Sequence, residues 1–590
     1  MRAARTAAVA LVVMTASAVA APGVHTDTGE VRACHPLDGG DFLVGTGGGL
    51  VLVGGDGATK SVWTAADGLP GTRIDSIAVA GERLWIGTEA GAAEVRLDGN
   101  ALAIVRRAEA RSVRDVVRFE GADYVALADA GVRKLGATGS TEVPITGTAR
   151  ARTAVAALAV ADGTLWAGTA AGLYRLAHGK LERVTLEPGV PADVTALHAA
   201  GKQLWIATTA GLYLRDGLRD GLRDGLRDGA TVHHYSGGDL RRVARIDGAI
   251  AAAGLGTGVV RVDRGRLVGL AGIPRELVMA QAIAERGGAA CAGGLDGLWL
   301  RATATAAWRP AARHAGPPSN DVSALAIQGD RLWVGTFDQG LASLDHGAWK
   351  RIADRAIDPR INALLVDRRQ RLWVATAAGI SMIDRDRITQ LTIRDGLPSR
   401  SVLALAELHD GRILIGTTSG AAIIGEGRPI ALGAKQNIEA KNVWAVAEDG
   451  DGWIWLGTTT GVFRGRADDA TWTRFSVATG QLRDDWVMAL ALRDHSVWVG
   501  TYHGGVTRLD DAGSDAPKPV ALGDGWINPG GMRWIGDTLY ASTMEGLRTG
   551  DGASATWTTV AGLPGRDTTT AVRGGDTLWI ATRRGLVATR

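Results

Sequence analysis

The sequence predicts an all-β protein of two tandem seven-bladed β-propellers, fourteen four-stranded repeats in all, and three observations carry that expectation. An LWxGT-xx-GL motif recurs along the chain. Its spacing is that of one four-stranded propeller sheet. The 83 glycines and 19 tryptophans suit short strands, tight turns and flat side chains wedged between sheets.

The full motif stands at Leu84-Trp85-Ile86-Gly87-Thr88, and again from Leu165 and Leu332. Related copies begin at Leu204, Leu372, Ile454, Val497 and Leu578. Weaker copies place Leu43, Val125, Ala252, Cys291, Leu414 and Tyr540 at the tryptophan position. Successive copies are 39 to 43 residues apart, with a single step of 47. That long step holds the repeated Arg-Asp-Gly-Leu units that start at Arg215, which read as a slippage loop without a role.

One copy shows the expected strands. Val322–Ile327 reads as strand A, Leu332–Val334 as B, Leu341–Leu344 as C and Trp349–Ile352 as D, with Asp/Gly turns between them. Strands A and B are apolar on both faces, as sheets packed between neighbours require. The motif glycine is expected to let the next blade approach, and the tryptophan to fill the wedge. Strands this rich in Gly, Thr, Val and Trp exclude stacked helical repeats of similar length.

Fourteen blades in one ring would leave a wide hole, so two rings of seven are expected. The best linker is Ala315-Gly316-Pro317-Pro318-Ser319, which puts the rings at 22–312 and 313–590. The last copy reaches Arg590 just after strand C. Its fourth strand is expected from earlier in the chain, or the blade stays three-stranded.

Residues 1–21 read as a secretory signal: Arg2 and Arg5, then the apolar run Thr6–Met14, then the small-x-small pattern Ala18-Val19-Ala20. The remainder is expected in the periplasm or secreted, with no membrane span. Without that segment, 63 Lys+Arg face 62 Asp+Glu, a net charge of +1. So even a balance gives no reason to expect nucleic acid as a partner.

The repeat LWIGT-xx-GL, with turns such as Glu448-Asp449-Gly450-Asp451-Gly452, resembles the two-component regulator propeller repeat. Asp67-Gly68-Leu69-Pro70 and Asp395-Gly396-Leu397-Pro398 resemble that family's linker between blades. The resemblance implies paired seven-bladed extracytoplasmic sensors, there followed by an Ig-like domain, a membrane helix and a histidine kinase. None of those parts is read in this sequence, so a separate membrane sensor or other extracytoplasmic protein is the expected partner.

Candidate ligand residues come from the top face, which carries the D–A and B–C connections. In the first ring the B–C loops are small, as at Gly47-Gly48 and Ala170-Ala171. In the second they carry Phe337, Asp338 and Gln339; Tyr502 and His503; Glu545; and Arg583 and Arg584. Those loops belong to blades eight, twelve, thirteen and fourteen, which are consecutive if the ring closes. Strand-A starts add Asp485, Trp486, Trp526 and Asn528. Aromatic, acidic, amide and guanidinium groups together suit a glycan or a peptide.

No catalytic residue, metal site or cofactor is expected. His178, His346, His409 and His495 fall in bottom hairpins, His233-His234 lies in an outer strand, and no metal-ligand spacing occurs. His503 with Glu545 is the one tempting acid/base pair, and nothing matches a nucleophile elbow or a glycosidase carboxylate pair. The expected function is therefore non-catalytic binding or sensing, with a structural interaction scaffold and a propeller lyase or hydrolase as alternatives. Cys34 and Cys291 fall on blades one and seven, where the first ring closes. A disulfide is conceivable there in an oxidising compartment, while two buried free thiols are the preferred reading.

Overall fold

The computed structural model describes residues 23–590 apart from 110, 138, 148, 150–152, 185–192, 217–230, 275–276, 313–314, 386, 434–435, 437 and 439–441. The secretory segment and most of the Arg-Asp-Gly-Leu run therefore lie outside the described residues, as do residues 313–314 just before the expected linker.

Short apolar runs broken by Asp/Gly turns fold here as four-stranded antiparallel sheets, fourteen among the described residues. The blade starting at Val322 is representative. Strands Val322–Gln328, Arg331–Thr336, Leu341–Asp345 and Ala348–Ile352 pair in chain order and contain the four expected segments. The Asp-Gly-Leu-Pro connections start as single 3-10 turns, capped by Thr64 and Thr392.

Each motif position has a physical task. Trp85 is fully buried with Val113, Val116 and Val125 of the next blade. A Cβ on Gly87 would sit 2.7 Å from the Val113 carbonyl oxygen, and one on Gly335 only 2.6 Å from Ile361 Cγ2. Only a hydrogen fits between blades at those points. The motif threonine closes the B–C loop: Thr88 Oγ1 donates to the Gly91 carbonyl at 2.9 Å and accepts the Ala90 N–H at 3.1 Å. Gly91 turns there at φ 150°.

Pairing corrects the motif alignment in two weak copies. Tyr124 pairs with Val117 just as Trp85 pairs with Ala78, so Tyr124 and not Val125 holds the tryptophan position of blade three. In blade six the same register puts Ala251 there rather than Ala252. In blade six an alanine run gave no side-chain mark from which to count.

Two rings close separately. Val31, Cys34 and Val44 of blade one pack with Ala282, Cys291 and Leu300 of blade seven. Val322, Leu325 and Val334 of blade eight pack with Val572, Ala581 and Leu586 of blade fourteen. The architecture is two tandem seven-bladed propellers. At the first seam Cys34 and Cys291 form a disulfide with a Cα–Cα distance of 6.3 Å. At the second, strand Gly23–His25 pairs antiparallel with Gly585–Thr589 and supplies the fourth strand of blade fourteen. A segment that precedes the first ring in sequence thus completes the second.

Every strand A carries a β-bulge near its start. In blade one the register slips between Val31 and Ala33, and in blade two between Ile74 and Ser76. The same slip recurs from Val113, Val155, Val194, Leu240 and Ala280 in the first ring. In each blade of the first ring one residue is left without a partner strand, and a bulge re-aims its side chain. In the first ring all seven of these residues, Arg32, Asp75, Arg114, Ala156, Thr195, Arg241 and Gln281, line one cavity at the top of the central channel.

Candidate functional site

The top of the second ring carries an aromatic surface built by two neighbouring blades. Backbone bonds set it up: Tyr502 N–H donates to the Trp486 carbonyl at 2.9 Å. Gly504 of one loop bridges to Gly525 of the next, which brings Trp526 alongside. Asp484 braces the loop, since its carboxylate accepts the Trp486 N–H at 3.1 Å and the His503 N–H at 2.8 Å. Tyr502 and Trp526 lie parallel, 10° apart with ring centroids at 5.9 Å. Trp486 adjoins Tyr502 at 4.8 Å, and His503 meets Trp526 edge-on at 5.7 Å.

Exposure marks this surface out. Trp486 is 40% exposed, Trp526 46% and Phe337 46%, the only exposed tryptophan or phenylalanine side chains among the described residues. The other tryptophan and phenylalanine rings are buried or half-buried. All three lie in top-face connections of the second ring.

The remaining expected residues divide. Asp485 accepts the Val477 N–H at 2.7 Å and so fixes the loop beneath Trp486. Asn528 is buried, donating to Asp567 at 2.8 Å and to the Thr568 carbonyl at 2.6 Å, which ties blade thirteen to fourteen. Glu545 pairs with Arg548 at 3.1 Å, and among the described residues no hydrogen bond joins it to His503. The acid/base pair considered from sequence is not assembled.

Phe337, Asp338, Gln339, Arg583 and Arg584 gather elsewhere, where the rings meet. The Arg583 guanidinium lies 5.2 Å over the Phe337 ring and 2.6 Å from Asp321. Arg584 reaches across to Glu89 of the first ring at 3.5 Å. Asn320 accepts the Asp27 N–H at 2.7 Å, and Thr72 Oγ1 donates to the Pro564 carbonyl at 2.5 Å. These ties flank an 800 Å³ cleft that Asp338 and Gln339 line with Arg351. Arg351 is held by the Gln339 carbonyl at 2.9 Å and its Oε1 at 3.1 Å. Arg583 is thus engaged across the closing seam of the second ring, and Arg584 in tying the second ring to the first.

The outer histidines are paired or stacked: His409 with Glu448 at 2.7 Å, His346 with Asp345 at 2.6 Å, and His234 against Tyr213 at 4.4 Å.

Sequence reading passed over a charged group in the first ring. Asp75, fully buried, holds Arg32 at 2.9 Å and Arg73 at 3.1 Å, with Arg114 at 3.6 Å. Burial pushes the Asp75 carboxyl up, but Arg114, Arg73 and Arg32 outweigh it and hold it below its ordinary 3.8. Burial raises the neighbouring Asp115 carboxyl, which accepts the Leu158 N–H at 3.0 Å. The signal that could have found this group is the residue after the first apolar residue of each strand A. It reads Arg, Asp, Arg, Ala, Thr, Arg, Gln around the first ring. In the second ring the equivalents begin Ser323, Asn362, Leu403, Trp444, Met488.

Comparison with known proteins fits the architecture. Residues 437–460, which include strands A and B of blade eleven, match the two component regulator propeller family, so the chain carries that repeat. A search of curated proteins found no match. Among solved structures, the chain is similar to PorZ, described as an essential bacterial surface component of the type-IX secretion system of Porphyromonas gingivalis. Identity is 15% and the TM-score 0.68, over 96% of this chain and 86% of that one. It is similar to an ancestral GH74 enzyme at 12% identity and TM-score 0.68, over 96% and 98% of the two chains. An extracellular domain of a hybrid two component system from B. thetaiotaomicron gives 17% identity and TM-score 0.40, over 95% and 81%.

Proposed function

We propose that this propeller pair is a non-catalytic, extracytoplasmic binding and sensing protein whose second ring holds a glycan against Trp486, Tyr502 and Trp526. The observation that carries the reading is the exposure of Trp486 and Trp526, which with Phe337 are the only exposed tryptophan or phenylalanine side chains among the described residues. Parallel, solvent-facing rings offer flat apolar faces to the C–H faces of a sugar, and Asp484 and His503 stand at their edge. A non-catalytic role is supported by the acids nearby, which are engaged in loop geometry. Export is supported by the Cys34–Cys291 bond, which suits an oxidising compartment. The rings are taken as 22–312 and 313–590, apart from the strand that completes blade fourteen. A membrane sensor is the partner that would pass binding on.

The test is an oligosaccharide and peptide array probed with the full chain and with a Trp486→Ala, Trp526→Ala variant. Stacking on each ring contributes about 0.5–1.5 kcal/mol, so the pair should weaken glycan binding roughly tenfold. The melting temperature should not move, because both side chains are exposed. Glycan binding that the variant leaves unchanged overturns the site, and binding to peptides alone overturns the glycan.

A further inference from the structure

Four arginines, Arg32, Arg114, Arg241 and Arg242, line the mouth of the first ring's channel with two acids, Asp75 and Asp193. The cavity there measures 510 Å³, within the range of small-ligand sites. Five arginines stand at or beside it. Three are accounted for: Arg241 pairs with Asp239, Arg32 with Glu30 and Asp75, and Arg73 with both oxygens of Asp75.

Arg114 and Arg242 are not. The one counter-charge of Arg114 is Asp75 at 3.6 Å, a carboxylate already engaged by two other arginines, and no hydrogen bond reaches its guanidinium among the described residues. Arg242 makes one hydrogen bond, at 3.4 Å to the Asp75 backbone carbonyl, and its charge acts on the buried Asp115 carboxyl, whose oxygens are taken up by the Val116 and Leu158 N–H groups. Gln281 lines the same cavity, and no hydrogen bond to its amide is found among the described residues. Burial depresses the Arg114 guanidinium; Asp75 opposes this, and repulsion from Arg32, Arg73 and Arg242 adds to it. Like charges crowded in a partly dry cavity repel, and an incoming anion removes that repulsion while filling unused donors. Planar guanidinium forks match carboxylate, sulfate and phosphate oxygens two at a time.

We propose that the mouth of the first ring's channel is an anion site, where Arg114 and Arg242 grip a carboxylate, sulfate or phosphate group of a small ligand and Gln281 adds an amide donor. The site is separate from the aromatic surface on the second ring and does not depend on it. The bulge that opens strand A turns Arg114 and Gln281 into the channel, and Arg242 directly follows the bulge residue Arg241 of blade six.

The test titrates the full chain with sulfate, phosphate and citrate at constant ionic strength, followed by calorimetry. Saturable binding of one equivalent is expected for at least one of them. Arg114→Gln with Arg242→Gln should weaken it at least tenfold, and Trp486→Ala with Trp526→Ala should leave it unchanged. Crystals of the unmodified chain soaked in selenate give a readout independent of variant folding, with an anomalous peak expected between Arg114 and Arg242. The proposal is overturned if none of the three anions binds saturably, if the folded double variant binds as well as the parent, or if selenate leaves that cavity empty.

Discussion

Thr569 Oγ1 in the last blade donates to the Val322 carbonyl in the first blade of the same ring at 2.8 Å, a side-chain tie across the closing seam. The same tie joins Asn362 to the Val402 carbonyl at 2.7 Å and Asn528 to Thr568 at 2.6 Å. In each case the donor belongs to the strand-A bulge of one blade and the acceptor to the start of strand A in the next. Thr569→Val should therefore cost about 1–3 kcal/mol, because it strands a buried carbonyl. Thr569→Ser should restore most of that. Chemical denaturation of the three proteins checks the order, and a valine variant as stable as the parent contradicts it.

The motif glycine makes a steric prediction. Gly335→Ala forces a methyl against Ile361 at 2.6 Å and should destabilise the second ring by about 1–3 kcal/mol. Gly269→Ala, in an outer strand with nothing within 4 Å, serves as the control and should be near neutral. Equal melting shifts for the two variants would count against interblade contact as the reason for the glycine.

The disulfide bridges residues 257 apart in sequence. Closing so long a loop restricts the unfolded chain, an effect worth about 5 kcal/mol at most in the chain-entropy account. Replacing both cysteines by alanine should lower the stability of the first ring and leave the second unchanged. Peptide mapping without reductant should recover the two cysteine peptides linked, and their recovery as free thiols would remove the basis for this prediction.

Asp75 gives a pH dependence with a definite sign. Its carboxyl is held below 3.8 in the folded state, so its contribution is present above that value and is lost as pH falls through the depressed one. Asp115 acts in the opposite sense: burial raises its carboxyl, so its contribution is full below 3.8 and fades as pH rises through the raised value. Asp75→Asn should cost about 3–5 kcal/mol at neutral pH, since three arginines lose their shared partner. The difference between parent and variant should shrink in unfolding measurements below pH 3.8. A gap that stays constant there would contradict the arginine-held carboxylate.

The fold was legible because each motif residue answers to the neighbouring blade. Trp85, Gly87 and Thr88 must be large, absent and hydroxylated at fixed offsets, and such constraints survive as a repeating pattern. Where the wedge is filled by Ala251, the offset blurred by one residue. The aromatic surface was partly legible, as Tyr502 and Trp526 stand out in loops otherwise made of small residues. Arg583 and Arg584 look like ligand groups in sequence, and only the closing seam of the second ring and its contact with the first reveal Asp321 and Glu89 as their partners. Arg114 was missed for a different reason. A bulge breaks the in–out alternation of a strand, so a residue that simple period-two reading assigns to a sheet face turns into the channel.

Strand Gly23–His25 gives the protein an order of assembly. A chain delivered from its N-terminus presents this strand before any other described part of the protein, and its partner Gly585–Thr589 after nearly everything else. The first ring holds every strand it needs once blade seven is through, so it can close while the second is still incomplete. The opening strand must wait unpaired all that time, beside a finished domain it does not join. Blade fourteen can be completed only after Gly585–Thr589 is available, and the pairing clasps both rings between its two strands in sequence.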